Sequence, residues 1–219
     1  MRASVAVLAD TSVRLWDLLF PRSRVLMHRT RVPYVHLDGL IAFSKRDRDG
    51  RVDAYLAAYL PDEVALVFFL GGEVVNAAML TPLGRFAVPI AQALQHVAGE
   101  AERAEIAFHQ APSEQLAAMY AACVQTPVSP PLDASSAEAV FRALHQRRWS
   151  GTLELISTGR VNYVQVRDGR FAGGHFSDQR PDETPALYLS RLFTSVPPEP
   201  LPKVAVRAVP GLAEMPPQA

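Results

Sequence analysis

The sequence predicts an α+β protein of two tandem small antiparallel sheets, each with flanking helices. Three observations carry that prediction. First, Val64 to Met79 reads VALVFFLGGEVVNAAM, two apolar β-rich runs joined by Gly71-Gly72. A tight turn needs φ > 0, which glycine adopts without a Cβ clash, so the pair signals a hairpin. Second, Gly159 to Phe176 (GRVNYVQVRDGRFAGGHF) says the same thing again. Laying Gly72 on Gly169 sets Val64 on Val161, Val67 on Val164, Phe69 on Val166, Val74 on Phe171 and Met79 on Phe176, all at an offset of 97. Third, Thr126 to Asp133 (TPVSPPLD) holds three prolines in eight residues, which neither a helix interior nor a central strand tolerates.

These signals divide the chain into an N-terminal helix and basic segment (1–33), a first unit (34–125), a linker (126–134), a second unit (135–210) and a frayed tail (211–219). In order, Thr11 or Ser12 caps a short helix with Val13, Trp16 and Phe20 on one face, ended by Pro21. Arg22 to Pro33 reads as irregular and basic, and Tyr34 to Ser44 as a strand entering at Gly39. Lys45 to Arg51 is a charged turn around Asp49-Gly50, and Val52 to Leu60 suits a strand by its neighbours and a helix by its alanines, with the nine residues between the turn and Pro61 favouring strand. After the glycine hairpin, Thr81, Pro82 and Gly84 break the sheet. A helix follows from Pro89 to Glu102, with Ile90, Leu94 and Val97 as its core stripe. Ala104 to Gln110 alternates as a strand, and Ser113 caps a helix carrying Leu116, Tyr120, Cys123 and Val124 on one face.

In the second unit, Ser135 and Glu138 form a capping box, and the helix has Val140, Phe141 and Leu144 on one face. Strands run over Gly151 to Ile156, Val161 to Arg167 and Arg170 to Phe176, separated by turns at Thr158-Gly159 and Asp168-Gly169. Thr184-Pro185 opens a helix whose apolar side is Leu189, Leu192 and Phe193. Val196 to Pro202 is a proline-rich connection, and Lys203 to Val209 is a closing strand. The repeat extends beyond the hairpin. Ile106, Phe108 and Pro112 match Val204, Val206 and Pro210 at 98, and Gly39 matches Gly151 at 112, which implies an insertion of about 15 residues in the first unit.

Composition narrows the function. The chain is 49 % apolar with a formal net charge of zero, so it has material for a core and no global field toward nucleic acid. Its first 37 residues are locally basic, with six arginines against Asp10 and Asp17. The one cysteine, Cys123, excludes an internal disulfide and a Cys-cluster metal site. No apolar run approaches the ~18 residues of a membrane span, and Val5 to Ala9 is too short for a signal-peptide core. The expected location is the cytoplasm.

The second unit resembles a known family. Its helix AEAVFRALHQRRW, then SGTLEL, then VNYVQVRDGRFAGGHF, a proline-started helix and a closing strand follow the pattern of the PATAN domain. This is the bacterial PatA N-terminal-like domain of unknown function. Gly151 and Leu153 match its G-x-L strand, and Asp168, Gly169 and Phe171 match its turn. Gly173-Gly174 stand where the family has alanine. In the first unit Gly71-Gly72-Glu73-Val74 form the turn, and the alanine is Ala77 or Ala78. The resemblance implies two divergent copies of a non-catalytic signalling or adaptor module, of a kind often joined to response-regulator receivers.

The six histidines form no HExxH or close-spaced ligand pair, and no phosphate-loop, nucleophile-elbow or dinucleotide fingerprint occurs. Asp47, Asp49 and Gly50 resemble a calcium loop that lacks its closing Glu. No catalytic, cofactor or metal residue is therefore assigned. The candidate ligand or partner contacts are the turns Gly71-Gly72 and Asp168-Gly169, the helix end Arg147, Arg148 and Trp149, and Gly173, Gly174 and His175, where backbone can approach a ligand. The expected function is a protein-binding adaptor in bacterial signalling or motility control. Its expected partner is another protein, with a second copy of this chain as a variant. A small-ligand sensor, with nucleotides as one class, is the alternative. A divergent hydrolase or transferase would instead require two or more of Asp38, His36, Asp168 and His175 to converge in a cleft.

Overall fold

The computed structural model describes residues 13–44, 52–128, 132–194 and 204–211. Among them are two antiparallel sheets and five α-helices, so the α+β expectation holds. The chain separates into two compact units. One takes residues 22–124, and the other takes residues 13–21 together with the described residues between 125 and 211.

The first unit contains β1 (Arg24–Arg31), α1 (Leu37–Ser44), β2 (Ala54–Leu60), β3 (Glu63–Leu70), β4 (Glu73–Thr81), β5 (Gly84–Val88), α2 (Ile90–Gly99), β6 (Glu105–Gln110) and α3 (Ser113–Val124). Its sheet runs β1-β6-β2-β3-β4-β5. On one face Leu56, Val67, Phe69, Ile106 and Phe108 are buried with Ala93 and Val97 of α2, and Leu37, Leu40 and Ile41 of α1 pack against them. Each such Val, Leu or Phe contributes about 1.5–3 kcal/mol by leaving water. On the other face Phe68 meets the edge of Tyr120 from α3 at 5.7 Å. Every residue of β2 is buried, which explains why AYLAAYL shows no polar alternation.

The second unit contains α4 (Ala137–Gln146), β7 (Gly151–Ser157), β8 (Arg160–Arg167), β9 (Arg170–His175), α5 (Pro185–Thr194) and β10 (Ala205–Pro210), with sheet order β10-β7-β8-β9. Val140 and Leu144 of α4 pack with Leu153, Leu155, Val164 and Val166 and with Tyr188, Leu189 and Leu192 of α5.

The repeat is visible in the ladders. The order β6-β2-β3-β4 in one unit matches β10-β7-β8-β9 in the other. Phe69 pairs with Val74 directly after a bulge, and Val166 pairs with Phe171 directly after a bulge, both at the offset of 97. The outer match differs from expectation. Ala54 pairs with Phe69 as Gly151 pairs with Val166, so β2 answers β7 at 97 and the Gly39–Gly151 match with its insertion falls away. Gln110 and Pro210 face those same two residues, which sets β6 against β10 at 100 rather than 98.

Other expectations are corrected. Arg24 to Arg31 is a strand, not irregular chain: its basic side chains stay at a sheet edge while its backbone pairs with β6. Tyr34 to Ser44 is a 3-10 turn and then α1, because Leu37, Leu40 and Ile41 follow a helical period onto the core. Thr81 to Gly84 does not break the sheet. The Thr81 hydroxyl accepts from Leu83 N and donates to Gly84 O, closing a turn into β5. The α2 helix is shorter than expected, with Pro89 at its N-cap and Glu100 at its C-cap. Ser136, not Ser135, caps α4, its Oγ accepting from Ala139 N at 3.0 Å. The expected N-terminal helix is a single 3-10 turn, Leu15–Asp17, after which Leu19 bridges to Arg160. The expected segment 1–33 is thus split between the units. The caps Thr11 and Ser12, the turn Lys45 to Arg51 with its calcium-like Asp47 and Asp49, the connection Val196 to Pro202 and the tail beyond Gly211 lie outside the described residues.

Candidate functional site

The predicted contact residues separate into three places. Gly71 and Gly72 form the β3–β4 turn at φ 55° and 80°. Their backbone is already engaged: Gly71 N donates to Asp53 Oδ1 at 2.7 Å, Gly72 N to Val52 O at 3.0 Å, and the buried Ser44 Oγ donates to Gly72 O at 2.9 Å. This turn is tied to its own unit.

The second place is the junction of α4 with the β8–β9 turn. Asp168 and Gly169 both have positive φ, 50° and 72°, as does Arg148 at 46°. Gly169 N donates to Trp149 O at 2.7 Å, and Asp168 N donates to Ser150 Oγ at 2.9 Å. Trp149 turns inward, against the second core, and a Cβ on Gly151 would lie 2.6 Å from its ring. It covers the core rather than facing a ligand. Arg148 and Asp168 line a cleft of about 870 Å³ with His145, Arg167, Arg170, Phe171 and Ala172. Three arginines and one carboxylate thus line the same cleft. Arg147 is exposed but is not part of the cleft lining.

The third place is β9 itself, which carries Gly173, Gly174 and His175. A Cβ on Gly173 would meet only Gln165 Oε1 at 3.7 Å, whereas one on Gly174 would strike the Phe176 ring at 2.6 Å. Gly174 is required by packing and Gly173 is not. Beside β9 lies an apolar groove of about 320 Å³, lined by Ala137, Glu138, Phe141, Phe171, Ala186 and Leu189. Phe171 belongs to both cavities and is 41 % exposed, with Leu187 of α5 59 % exposed. Phe141, Arg167, Arg170, Phe171 and Leu187 were not among the expected contacts. The Arg-Asp-Gly-Arg run around the turn carried the signal for two of them.

No family model, curated protein or solved structure matches this chain.

Two further polar clusters in the second unit bond within themselves. Asn162, fully buried, accepts from Ser177 N at 2.9 Å and lies 2.8 Å from the Tyr188 hydroxyl, which is 2.7 Å from Asp178 Oδ1. Burial, with the Asp178 hydrogen bond, pushes the Tyr188 phenol up. Arg191 grips Glu183 at 2.8 and 3.0 Å, and that hydrogen bond holds the Glu183 carboxyl below the usual range. His36 and Asp38 belong to the first unit and Asp168 and His175 to the second. No group of three metal-ligating side chains occurs among the described residues, and Cys123 is buried.

Proposed function

We propose that the chain is a non-catalytic, protein-binding adaptor in bacterial signalling or motility control, built from two divergent PATAN-like units. The observation that carries this reading is Phe171. It is a large apolar side chain, substantially exposed, where an apolar groove meets a cleft with three arginines. Aromatic and arginine side chains side by side are the composition of interface centres. The shared strand order of the two units supports the duplicated-module part of the reading. A cytoplasmic setting accords with it, and no helix among the described residues is long and apolar enough to cross a membrane.

The test is a pull-down from a lysate of the source organism, with the full chain as bait beside its Phe171→Asp variant. A specific partner held by the first and lost by the second supports the adaptor. Retention of nothing by either overturns it.

The same cleft supports a second reading, a sensor of small anions such as nucleotides, because Arg148, Arg167 and Arg170 all line it. A thermal shift with nucleotides that disappears in Arg170→Ala would favour that reading, since a ligand of the native state raises stability.

A further inference from the structure

We infer that the outer edge of β9 binds an acidic, extended segment of a partner protein, which adds to the second sheet as a fifth strand. The inference rests on the adaptor reading above and specifies what the adaptor holds.

The edge comes first. β9 pairs with β8 on one side and with no strand on the other among the described residues, and Arg170, Phe171 and Ala172 are exposed. In the matching topology of the first unit, β5 pairs with Ala77 to Thr81 of β4, the counterpart of β9. At the offset of 97 those residues answer Gly174 to Asp178, so the first unit carries an added strand on this side at the far end of the edge, beyond Arg170 to Ala172. An exposed edge is a row of unspent backbone donors and acceptors, and strand addition uses them for affinity.

The flanking side chains define the occupant. Phe171 pairs with the core residue Val166, so it points to the helix face, where the groove of Phe141, Ala186 and Leu189 lies. Alternate residues of an added strand would follow it to that face, and these must be apolar. Arg170, with Arg167 opposite it across the turn, leaves a cationic rim with Asp168 as the one acidic group in the cleft. A segment with Asp or Glu at the intervening positions matches that rim. A second β9 would not, because it brings like charges to it. Gly173 completes the case: the chain's own packing does not require a glycine there, and its lack of a side chain leaves the edge open to a neighbouring backbone.

The experiment selects twelve-residue peptides from a random display library on the immobilised full chain. The enriched peptide is then synthesised, its affinity measured, and backbone amide exchange of the chain compared with and without it. The expected result is a peptide alternating acidic and apolar residues that slows exchange in β9. Its affinity falls at least tenfold for Arg170→Glu, a surface change that leaves the melting temperature in place, and falls with added salt. N-methylation of alternate peptide amides abolishes binding. Enriched peptides that are neutral or basic, or that leave β9 exchange unchanged, overturn strand addition while the adaptor reading stands. Protection of β9 that grows with protein concentration alone, alongside a dimer in sedimentation, assigns the edge to a second copy and also overturns it. A library that yields no binder overturns it too, and the lysate capture then decides the adaptor reading separately.

Discussion

The Gly169 amide donates to the Trp149 carbonyl at 2.7 Å, which fastens the β8–β9 turn to the end of α4. The fit leaves no room for a side chain. A Cβ at Gly169 would stand 2.7 Å from Leu144 O and 2.8 Å from His145 N, at a φ of 72°. Gly169→Ala is expected to cost roughly 2–5 kcal/mol, from left-handed strain and a backbone clash together. Gly173→Ala, with only Gln165 Oε1 nearby, should change stability by less than about 1 kcal/mol. Urea unfolding of the two variants checks the contrast. Equal losses would contradict it.

Stability should fall on mild acidification, through His109. Its imidazole is lowered to about 4 by burial, then by the charges of Arg22 and His28. Its Nδ1 has no hydrogen-bond partner. The unfolded chain binds this proton near the ordinary value of about 6.5, so between there and about 4 the unfolded state holds more protons and folding weakens as pH drops. The stability that rests on the neutral imidazole is fully present above about pH 6.5, and roughly 3 kcal/mol of it is lost by pH 4. Melting curves from pH 7 to 4 should show a shallower slope in His109→Gln.

Tyr188→Phe removes the hydroxyl shared between Asn162 Oδ1 and Asp178 Oδ1. The ring still fills its place against Phe176, 4.4 Å away, so the loss isolates the polar contact. It should cost about 1–2 kcal/mol, the usual worth of a buried hydrogen bond whose partners are left behind. Chemical denaturation with an unchanged m-value is the expected signature.

Two neighbouring serines offer a sharp comparison. Ser136 Oγ accepts from Ala139 N and caps α4, while the Ser135 amide donates to Asp133. Ser136→Ala should lose about 1 kcal/mol, and Ser135→Ala should fall within about 0.5 kcal/mol of the parent. A larger effect at Ser135 would place the cap where the Ser135–Glu138 spacing suggested.

What could be read from the residues alone was the local chemistry. Gly71-Gly72, Thr158-Gly159 and Asp168-Gly169 all sit at positive φ in two-residue turns, and the flanking β-rich runs pair as those turns dictate. What could not be read depends on distant partners. β1 becomes a strand because Arg24 meets Gln110, a contact that no local window contains. YVHLDGLIAFS carries apolar residues at both periods, and the core beneath Leu37, Leu40 and Ile41 decides for the helix. Of the candidate site, the turn and Arg148 were visible in the sequence. The groove beside Phe171 was not, because α4 and α5 form it by packing together.

Leu19 has a consequence for how the molecule comes into being. It bonds to Gly159 and Val161 at 2.8 Å each, so residues 13–21 belong to a unit whose other residues are synthesised after residues 22–124. On the ribosome, residues 22–124 emerge whole and can collapse first. The segment holding Leu18 and Phe20, both buried in the finished protein, must wait for β8 before it finds its place. Its docking closes a loop of more than a hundred residues, an entropic cost that grows only slowly with length. Residues 18–20 are thus made before the unit that follows them but settle after it.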